Sequence, residues 1–83
     1  MKVTVKYFAG IREAIGLGSE LRETQATTLA ALRDELIGQG GAYADSLARG
    51  KAVRLALNQV MVDEAASLPE AAEVAFFPPV TGG

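Results

Sequence analysis

Apolar and polar residues alternate along several stretches of the chain, and such alternation is typical of β-strands with one buried face. The stretches that we interpret as strands are Lys2 to Phe8, Ser19 to Thr24, Val53 to Leu57, Val60 to Val62 and Glu73 to Phe77. Asn58 and Gln59 separate the third stretch from the fourth and favour a turn. The pattern therefore predicts five strands, of which the first two make a hairpin-like start.

One longer stretch has the periodicity of a helix. Its apolar residues recur at positions i, i+3 and i+7, with one more beside the last: Leu29, Leu32, Leu36 and Ile37. Thr27 or Thr28 can cap its first turn, and Gly38 ends it. Because the apolar stripe of such a helix has to be buried, the order of elements predicts an α+β fold, with a mixed sheet and one main helix packed across one face.

Two shorter helices are also predicted. Ile11 to Ile15 can form a short helical segment between glycine breaks. Ala42 to Arg49 can form a second one that Gly50 closes, with Arg49 near its negative end. We interpret the second as a connector between the larger elements.

A sheet with a helix on one face leaves its other face open. Strand parity places three large apolar residues on this open face: Phe8, Met61 and Phe77. The same parity assigns the core to Val3, Val5, Tyr7, Val60, Val62, Val74 and Phe76. Contiguous apolar surface on a small protein typically marks an interaction site, so the three residues, here called the open-face patch, are predicted to bind partners. A shift of register by one residue, or a loop that covers the patch, would remove it.

Composition narrows the class of protein. A chain of 83 residues corresponds to one domain, and 49% hydrophobic residues are sufficient for one modest core. The apolar runs fall short of the roughly 20 residues that span a bilayer, and the alternation starts directly after Met1, without the regions of a secretion signal. These patterns predict a cytoplasmic protein without a membrane segment.

The net charge and the absence of two residue types argue against nucleic-acid binding and against most kinds of catalytic site. The net charge of −2, spread without basic blocks, argues against a nucleic-acid binder. With no Cys and no His, the chain has no thiol nucleophile, no imidazole base and no zinc site of the usual kind. We expect the acidic residues to be solvated surface charges: Glu13, Glu20, Glu23, Asp34, Glu35, Asp45, Asp63, Glu64, Glu70 and Glu73.

The carboxyl end has the most informative pattern. It reads Phe76, Phe77, Pro78, Pro79, Val80, Thr81, Gly82, Gly83. The two prolines lack backbone donors and fix φ, so the sheet ladder should stop and the chain should leave in an extended direction. The six residues from Pro78 can reach about 20 Å at about 3.3 Å per residue, and glycines without Cβ atoms can thread into a narrow site. We therefore divide the chain into a domain, residues 1–77, and an extended, flexible tail, residues 78–83; the alternative is a frayed terminus without function.

The chain resembles the small subunits of molybdopterin synthase, which have the ubiquitin-like β-grasp fold. The tail from Phe76 to Gly83 is the most specific match. The run from Tyr7 to Glu13 and the run from Leu57 to Gln59 are similar to runs in that family, and the resemblance covers the whole chain. It implies a β-grasp fold and a part in molybdenum cofactor biosynthesis.

The resemblance implies a sulfur carrier whose working group is the carboxylate of Gly83. In that family a separate enzyme uses ATP to adenylate the terminal glycine, and a sulfur donor then displaces AMP to leave a thiocarboxylate. The thiocarboxylate gives its sulfur to a pterin precursor inside the large subunit of the synthase. The implied partners are the activating enzyme, the sulfur donor and the large subunit, and the chain itself is expected to be a non-catalytic subunit with no bound cofactor.

Three alternatives remain open on the sequence. A sulfur carrier of thiamine biosynthesis shares the fold and the Gly82-Gly83 end, although such carriers usually lack the Phe-Phe-Pro-Pro approach. A ubiquitin-like protein modifier would use the same activated carboxyl group to form an isopeptide bond with a lysine. A plain interaction module would have an inert tail.

Overall fold

The computed structural model describes residues 1–79, in which it places five strands and three helices. The strands are β1 (Lys2–Tyr7), β2 (Ser19–Glu23), β3 (Arg54–Leu57), β4 (Val60–Val62) and β5 (Glu73–Phe77). The helices are α1 (Ala9–Ile15), α2 (Leu29–Ile37) and α3 (Gly41–Leu47). The sequence predictions for Val80, Thr81, Gly82 and Gly83 lie outside the described residues. None of the three helices is long and apolar enough to cross a membrane.

The five strands form one mixed sheet in the order β2-β1-β5-β3-β4. β1 and β5 pair in parallel, and the other three pairs are antiparallel. The last strand therefore lies in the middle of the sheet, between the first and the third. Parallel strands end at the same edge of the sheet, so the residues that follow β1 and β5 emerge side by side.

The helix α2 covers one face of this sheet, as its periodicity predicts. Thr28 is its N-cap, and the Thr28 hydroxyl accepts a hydrogen bond of 3.1 Å from the backbone N–H of Ala31. The apolar stripe is fully buried: Leu29, Leu32 and Leu36. It packs in one cluster with the inward residues of the central strands, among them Val5 and Val74. Burying side chains of this size contributes about 1.5–3 kcal/mol each, so this face holds the domain together.

A buried arginine joins α2 to the segment between α3 and β3. Arg33 is only 4% exposed, and Nε donates to the carbonyl of Leu47 at 2.8 Å. Nη2 donates to the carbonyls of Ala48 and Lys51 at 2.8 and 3.1 Å, and Nη1 donates to Glu64 at 2.9 Å. We call this set of bonds the Arg33 clamp. A buried guanidinium is tolerated when its donors are satisfied, and nothing in the sequence pattern indicated this role.

The helix α3 is shorter than predicted. It ends at Leu47, because Ala48 has extended dihedral angles (φ −50°, ψ 145°) that turn the chain away and leave carbonyls free for Arg33. Arg49 therefore lies outside the helix, and its predicted place near the helix end was wrong. Its guanidinium binds Asp34 at 2.8 Å and also Glu64, and the hydrogen bond to Asp34 is the main cause that raises the pKa of Arg49.

One assignment to the core was wrong. Val60 was predicted to be a core residue, but it is 62% exposed. It pairs with Leu57 and shares its face of the sheet, yet it lies at the end of the edge strand, and it is not part of the buried cluster beneath α2.

Some acidic residues are partly buried and bonded, where solvated surface charges were expected. Glu20 accepts hydrogen bonds from the hydroxyls of Tyr7 at 2.7 Å and Tyr43 at 2.8 Å. Burial raises the pKa of Tyr7, and the bond to Glu20 raises it further. Glu35 accepts from the Thr24 hydroxyl at 2.9 Å. These carboxylates, with Glu64, join elements that are distant in sequence, which local spacing does not reveal.

The turn between β3 and β4 generates a stability prediction. Asn58 and Gln59 have φ values of 48° and 71°, as a two-residue hairpin turn requires. Residues with a Cβ are strained in that region by about 1–2 kcal/mol, whereas glycine is not. We expect Gln59→Gly to raise the free energy of unfolding by about 0.5–1 kcal/mol, measured by urea denaturation. Gln59→Ala is the control, because it keeps the Cβ and should change stability little; an equal gain from both variants would contradict the explanation.

Candidate functional site

The open face of the sheet is centred on two stacked aromatic rings. Phe8 follows β1 and Phe77 ends β5, so the parallel pairing brings them side by side. Their ring centroids are 4.5 Å apart and the planes differ by 9°. Phe8 is exposed and Phe77 is half-buried, while the preceding Tyr7 and Phe76 are buried in the core on the other face. The sheet therefore has the parity that the sequence predicts at this edge.

Met61 lies on the same open face, but on the edge strand. It is 54% exposed and pairs with Ala56, which in turn pairs with Ala75 of the central strand. Both alanines are buried, although they do not belong to the cluster beneath α2. The open-face patch is thus two separate groups, the Phe8–Phe77 stack and Met61, connected by a shallow floor of two alanines. The sequence analysis did not identify the alanines, although the alternation of β3 and β5 places them on this face.

Basic side chains are also present on this face. Arg54 pairs in register with Phe77 and is exposed. Lys6 pairs with Ala75, and its Nζ lies 3.3 Å from Glu73, a partly exposed ion pair of the kind that contributes at most about 1 kcal/mol. Charged and apolar side chains are therefore interspersed on the open face, because Lys6 and Glu73 lie on the central strands and Met61 lies on an edge strand.

The chain leaves the sheet at Pro78 and Pro79, directly after the Phe8–Phe77 stack. The ladder of β5 stops at Phe77, as the proline pair predicts. Beside the prolines is a pocket of about 300 Å³, here called the exit pocket. Its lining comes from α1, α3, the segment before β3 and the start of the tail: Gly10, Ile11, Ala14, Ser46, Lys51, Val53, Pro78 and Pro79. The sequence analysis missed this pocket, although Gly10 and Ala14, small residues one helical turn apart, were a detectable signal.

The described residues include the first two residues of the tail, Pro78 and Pro79, but not the other four. Phe8, Phe77, Pro78 and Pro79 come together at one edge of the sheet, and Met61 lies apart from them. The predicted reactive group at Gly83, and its neighbours Gly82, Thr81 and Val80, are outside residues 1–79. Within that range, acidic residues do not group in a way that could hold a metal ion.

A five-stranded mixed sheet with its last strand at the centre and one main helix across one face defines the ubiquitin-like β-grasp class. The chain belongs to the ThiS family, whose model matches residues 5–83. The class and the family both agree with the ubiquitin-like β-grasp fold that the resemblance in the sequence implies.

Two curated relatives match nearly the whole chain. The molybdopterin synthase sulfur carrier subunit of Haemophilus influenzae is 37% identical over 81 residues, which cover 98% of this chain and 99% of that protein. The protein of the same name from Escherichia coli is 38% identical over 81 residues, with the same coverage. The resemblance seen in the tail therefore extends over the full length.

Solved structures have the same fold. A chain from the complex of subunits 1 and 2 of the molybdopterin-converting factor of Helicobacter pylori is 26% identical, with a TM-score of 0.69 and 100% coverage of both chains. SAMP1 of Haloferax volcanii is 25% identical, with a TM-score of 0.75 and 100% coverage of both chains. The β-grasp architecture is thus common to proteins with different names, so the fold does not by itself decide function.

The aromatic stack generates a prediction about stability. Stacked aromatic pairs contribute about 0.5–1.5 kcal/mol beyond their burial, so a double-mutant cycle of Phe8→Ala and Phe77→Ala should give a coupling energy in that range. Urea denaturation of the two single variants and the double variant measures it. The control cycle combines Phe8→Ala with Met61→Ala, which lie about 14 Å apart across three strand spacings and should be additive within about 0.5 kcal/mol. Equal coupling in both cycles would contradict the stacked geometry.

Proposed function

We propose that this chain is a sulfur carrier subunit of molybdopterin synthase, and that the carboxylate of Gly83 receives and delivers the sulfur. The observation that best supports the proposal is the full-length similarity to two proteins of that name, at 37% and 38% identity. The geometry agrees with it, because the central strand β5 leads directly into Pro78 and Pro79 beside an exposed aromatic stack. The Gly82-Gly83 end is the part of the sequence that suits a threaded, reactive terminus.

The proposed chemistry follows from the properties of a terminal carboxylate. With a reference pKa of about 3.3–3.7 it is ionised at neutral pH, and it is a poor electrophile. A carboxylate oxygen of Gly83 attacks the α-phosphorus of ATP and pyrophosphate leaves, which gives an acyl adenylate. Hydrosulfide from the sulfur donor then attacks the acyl carbon, and AMP leaves with the bonding electron pair. The product is a thiocarboxylate, whose sulfur is a better nucleophile than the oxygen it replaced.

Partners supply the catalytic groups in this proposal. The chain has no His and no Cys, so a base, a nucleotide site and a pterin pocket have to come from the activating enzyme and the large subunit. The chain contributes a reactive end and a surface that orients it, and binding energy spent on orientation is a large part of catalysis. It is therefore a non-catalytic subunit that needs no bound cofactor, and ATP is used by its partner. A cytoplasmic location is part of the proposal, because activation consumes ATP.

The open-face patch is the proposed docking surface for both partners. Phe8, Phe77 and Met61 expose apolar area on the open face, and aromatic residues are enriched among those that dominate binding. The Phe8–Phe77 stack lies at the edge where the tail begins, so a partner bound to it can hold the tail in its own active site. One surface then serves two complexes in turn.

The first test is the mass of the intact chain after incubation with ATP, a sulfur source and the activating enzyme. We expect the wild-type chain to exchange one oxygen for sulfur at Gly83. Gly83→Ala, or one residue added after Gly83, should block the exchange and leave the thermal midpoint unchanged, because the change alters none of the residues of the described core. Normal sulfur transfer from the extended chain would overturn the proposed role of Gly83.

The second test concerns the shared surface. Because both partners are proposed to cover Phe8 and Phe77, the activating enzyme and the large subunit should compete for the chain in a pull-down. Phe77→Ala should weaken both interactions, whereas Arg12→Ala, a change of an exposed residue outside the patch, serves as the matched control. A ternary complex that contains both partners at once would contradict a single docking surface.

A protein-modifier function is the second candidate, because the chain also resembles SAMP1 over its full length. It would use the same adenylated carboxyl group of Gly83, with a lysine amine in place of the sulfur nucleophile. The same mass experiment separates the two functions when a protein extract is added. A chain joined to protein lysines supports the modifier, and a thiocarboxylate that only the pterin precursor and large subunit consume supports the carrier.

A further inference from the structure

The exit pocket is a preformed cavity whose wall includes the first two residues of the tail. Pro78 and Pro79 form one side, and α1 contributes Gly10, Ile11 and Ala14 opposite them. Its volume of about 300 Å³ is at the lower end of the range for ligand sites, which suits a single side chain better than a large ligand.

The lining of the pocket selects an apolar occupant. Ile11, Ala14 and Val53 offer only hydrocarbon, and the two prolines lack backbone donors. Lys51 and Ser46 are the polar side chains of the lining, and Ser46 is itself buried. A cofactor or metabolite usually needs several convergent polar groups, and this pocket does not provide them.

The wall that contains Lys51 is held in place from the core. The carbonyl of Lys51 accepts a hydrogen bond of 3.1 Å from Arg33, which also binds the carbonyls of Leu47 and Ala48. The Arg33 clamp therefore fixes the segment before β3 against α2. An occupant of the pocket does not have to order this wall, and preorganisation of this kind favours binding.

The position of the pocket indicates which molecule supplies the occupant. Pro78 follows Phe77, and Gly10 lies two residues after Phe8, so the lining of the pocket includes residues from the two segments that follow the stacked rings. A protein that docks on the stack and encloses the tail has to contact the prolines, which are part of the pocket wall. We propose that the exit pocket receives an apolar side chain of the synthase large subunit when that subunit encloses the tail, an inference that rests on the function proposed above.

Two glycines allow a test that leaves the fold intact. A Cβ added at Gly10 meets no atom within 4 Å, and the same is true at Gly50, which does not line the pocket; neither has a positive φ. Gly10 and Ala14 line the pocket, so Gly10→Leu and Ala14→Leu, the pocket-filling variants, add bulk at its wall, and Gly50→Leu is the matched control. Gly10→Ala leaves most of the volume empty and lies within a helix, where alanine is preferred to glycine, so its thermal midpoint should not fall.

The measurement is the affinity of each variant for the large subunit, by calorimetric titration, together with its thermal midpoint. We expect Gly10→Leu and Ala14→Leu to bind at least about tenfold more weakly, because an anchoring side chain is excluded, while Gly10→Ala and Gly50→Leu bind like the wild type. Wild-type affinity in both pocket-filling variants would overturn the inference and leave the proposed function intact. Failure of the wild-type chain to bind would reject both.

Sedimentation of the chain alone tests whether a second copy of this chain, and not the large subunit, supplies the occupant of the pocket. If the wild type forms dimers that Gly10→Leu abolishes, and the large subunit binds both equally, the occupant is a second copy and the inference is wrong. A chain that stays monomeric in both forms, with weaker binding of the large subunit only in the pocket-filling variants, supports it.

Discussion

The parallel pairing of β1 with β5 is the interaction on which the rest of the structure depends. It places the last strand at the centre of the sheet, where Val74 and Phe76 complete the core beneath α2. It also brings Phe8 and Phe77 into contact and places Pro78 and Pro79 at the same edge. Because the two strands come from opposite ends of the chain, the core cannot close before the carboxyl-terminal strand is in place, and such non-local pairing is slow to form. Stability and the geometry of the working end thus depend on one pairing.

The two faces of the sheet carry different kinds of side chain, because successive residues of a strand point to opposite faces. Inward residues bury hydrocarbon against α2, and outward residues leave exposed apolar side chains interspersed with charged ones. Ala56 and Ala75 keep that centre shallow, so a partner can approach the sheet closely between Met61 and the aromatic stack. Apart from the contact between Phe8 and Phe77, the exposed apolar area adds little to the stability of the free chain. Exposed apolar area of this kind lowers solubility and typically marks a surface that a partner covers. This agrees with a carrier that works inside complexes.

The strand β5 ends at Phe77, directly before the two prolines, and side-chain hydrogen bonds hold the elements around it. Arg33 joins α2 to the segment before β3 and to Glu64 after β4, and Tyr7 and Tyr43 share the carboxylate of Glu20. These bonds lie beneath the sheet and around the exit, so the point from which the tail departs is well defined. A defined position of the two prolines agrees with the proposed role of the carboxyl end, in which a partner uses its docking energy to orient that end.

Local sequence patterns determined the secondary structure and indicated the fold class of this protein. The spacing of leucines and the Thr28 cap specified α2, alternation specified the strands, and the order of elements with the final Phe-Phe-Pro-Pro segment indicated the fold class and the family. Each of these signals lies within a few residues, where backbone geometry dictates the pattern. The order of strands, the burial of Arg33, the exposure of Val60 and the exit pocket were decided only by tertiary structure. They arise from contacts between segments far apart in sequence, and no local periodicity encodes which segments meet or where a strand extends beyond the helix that covers it.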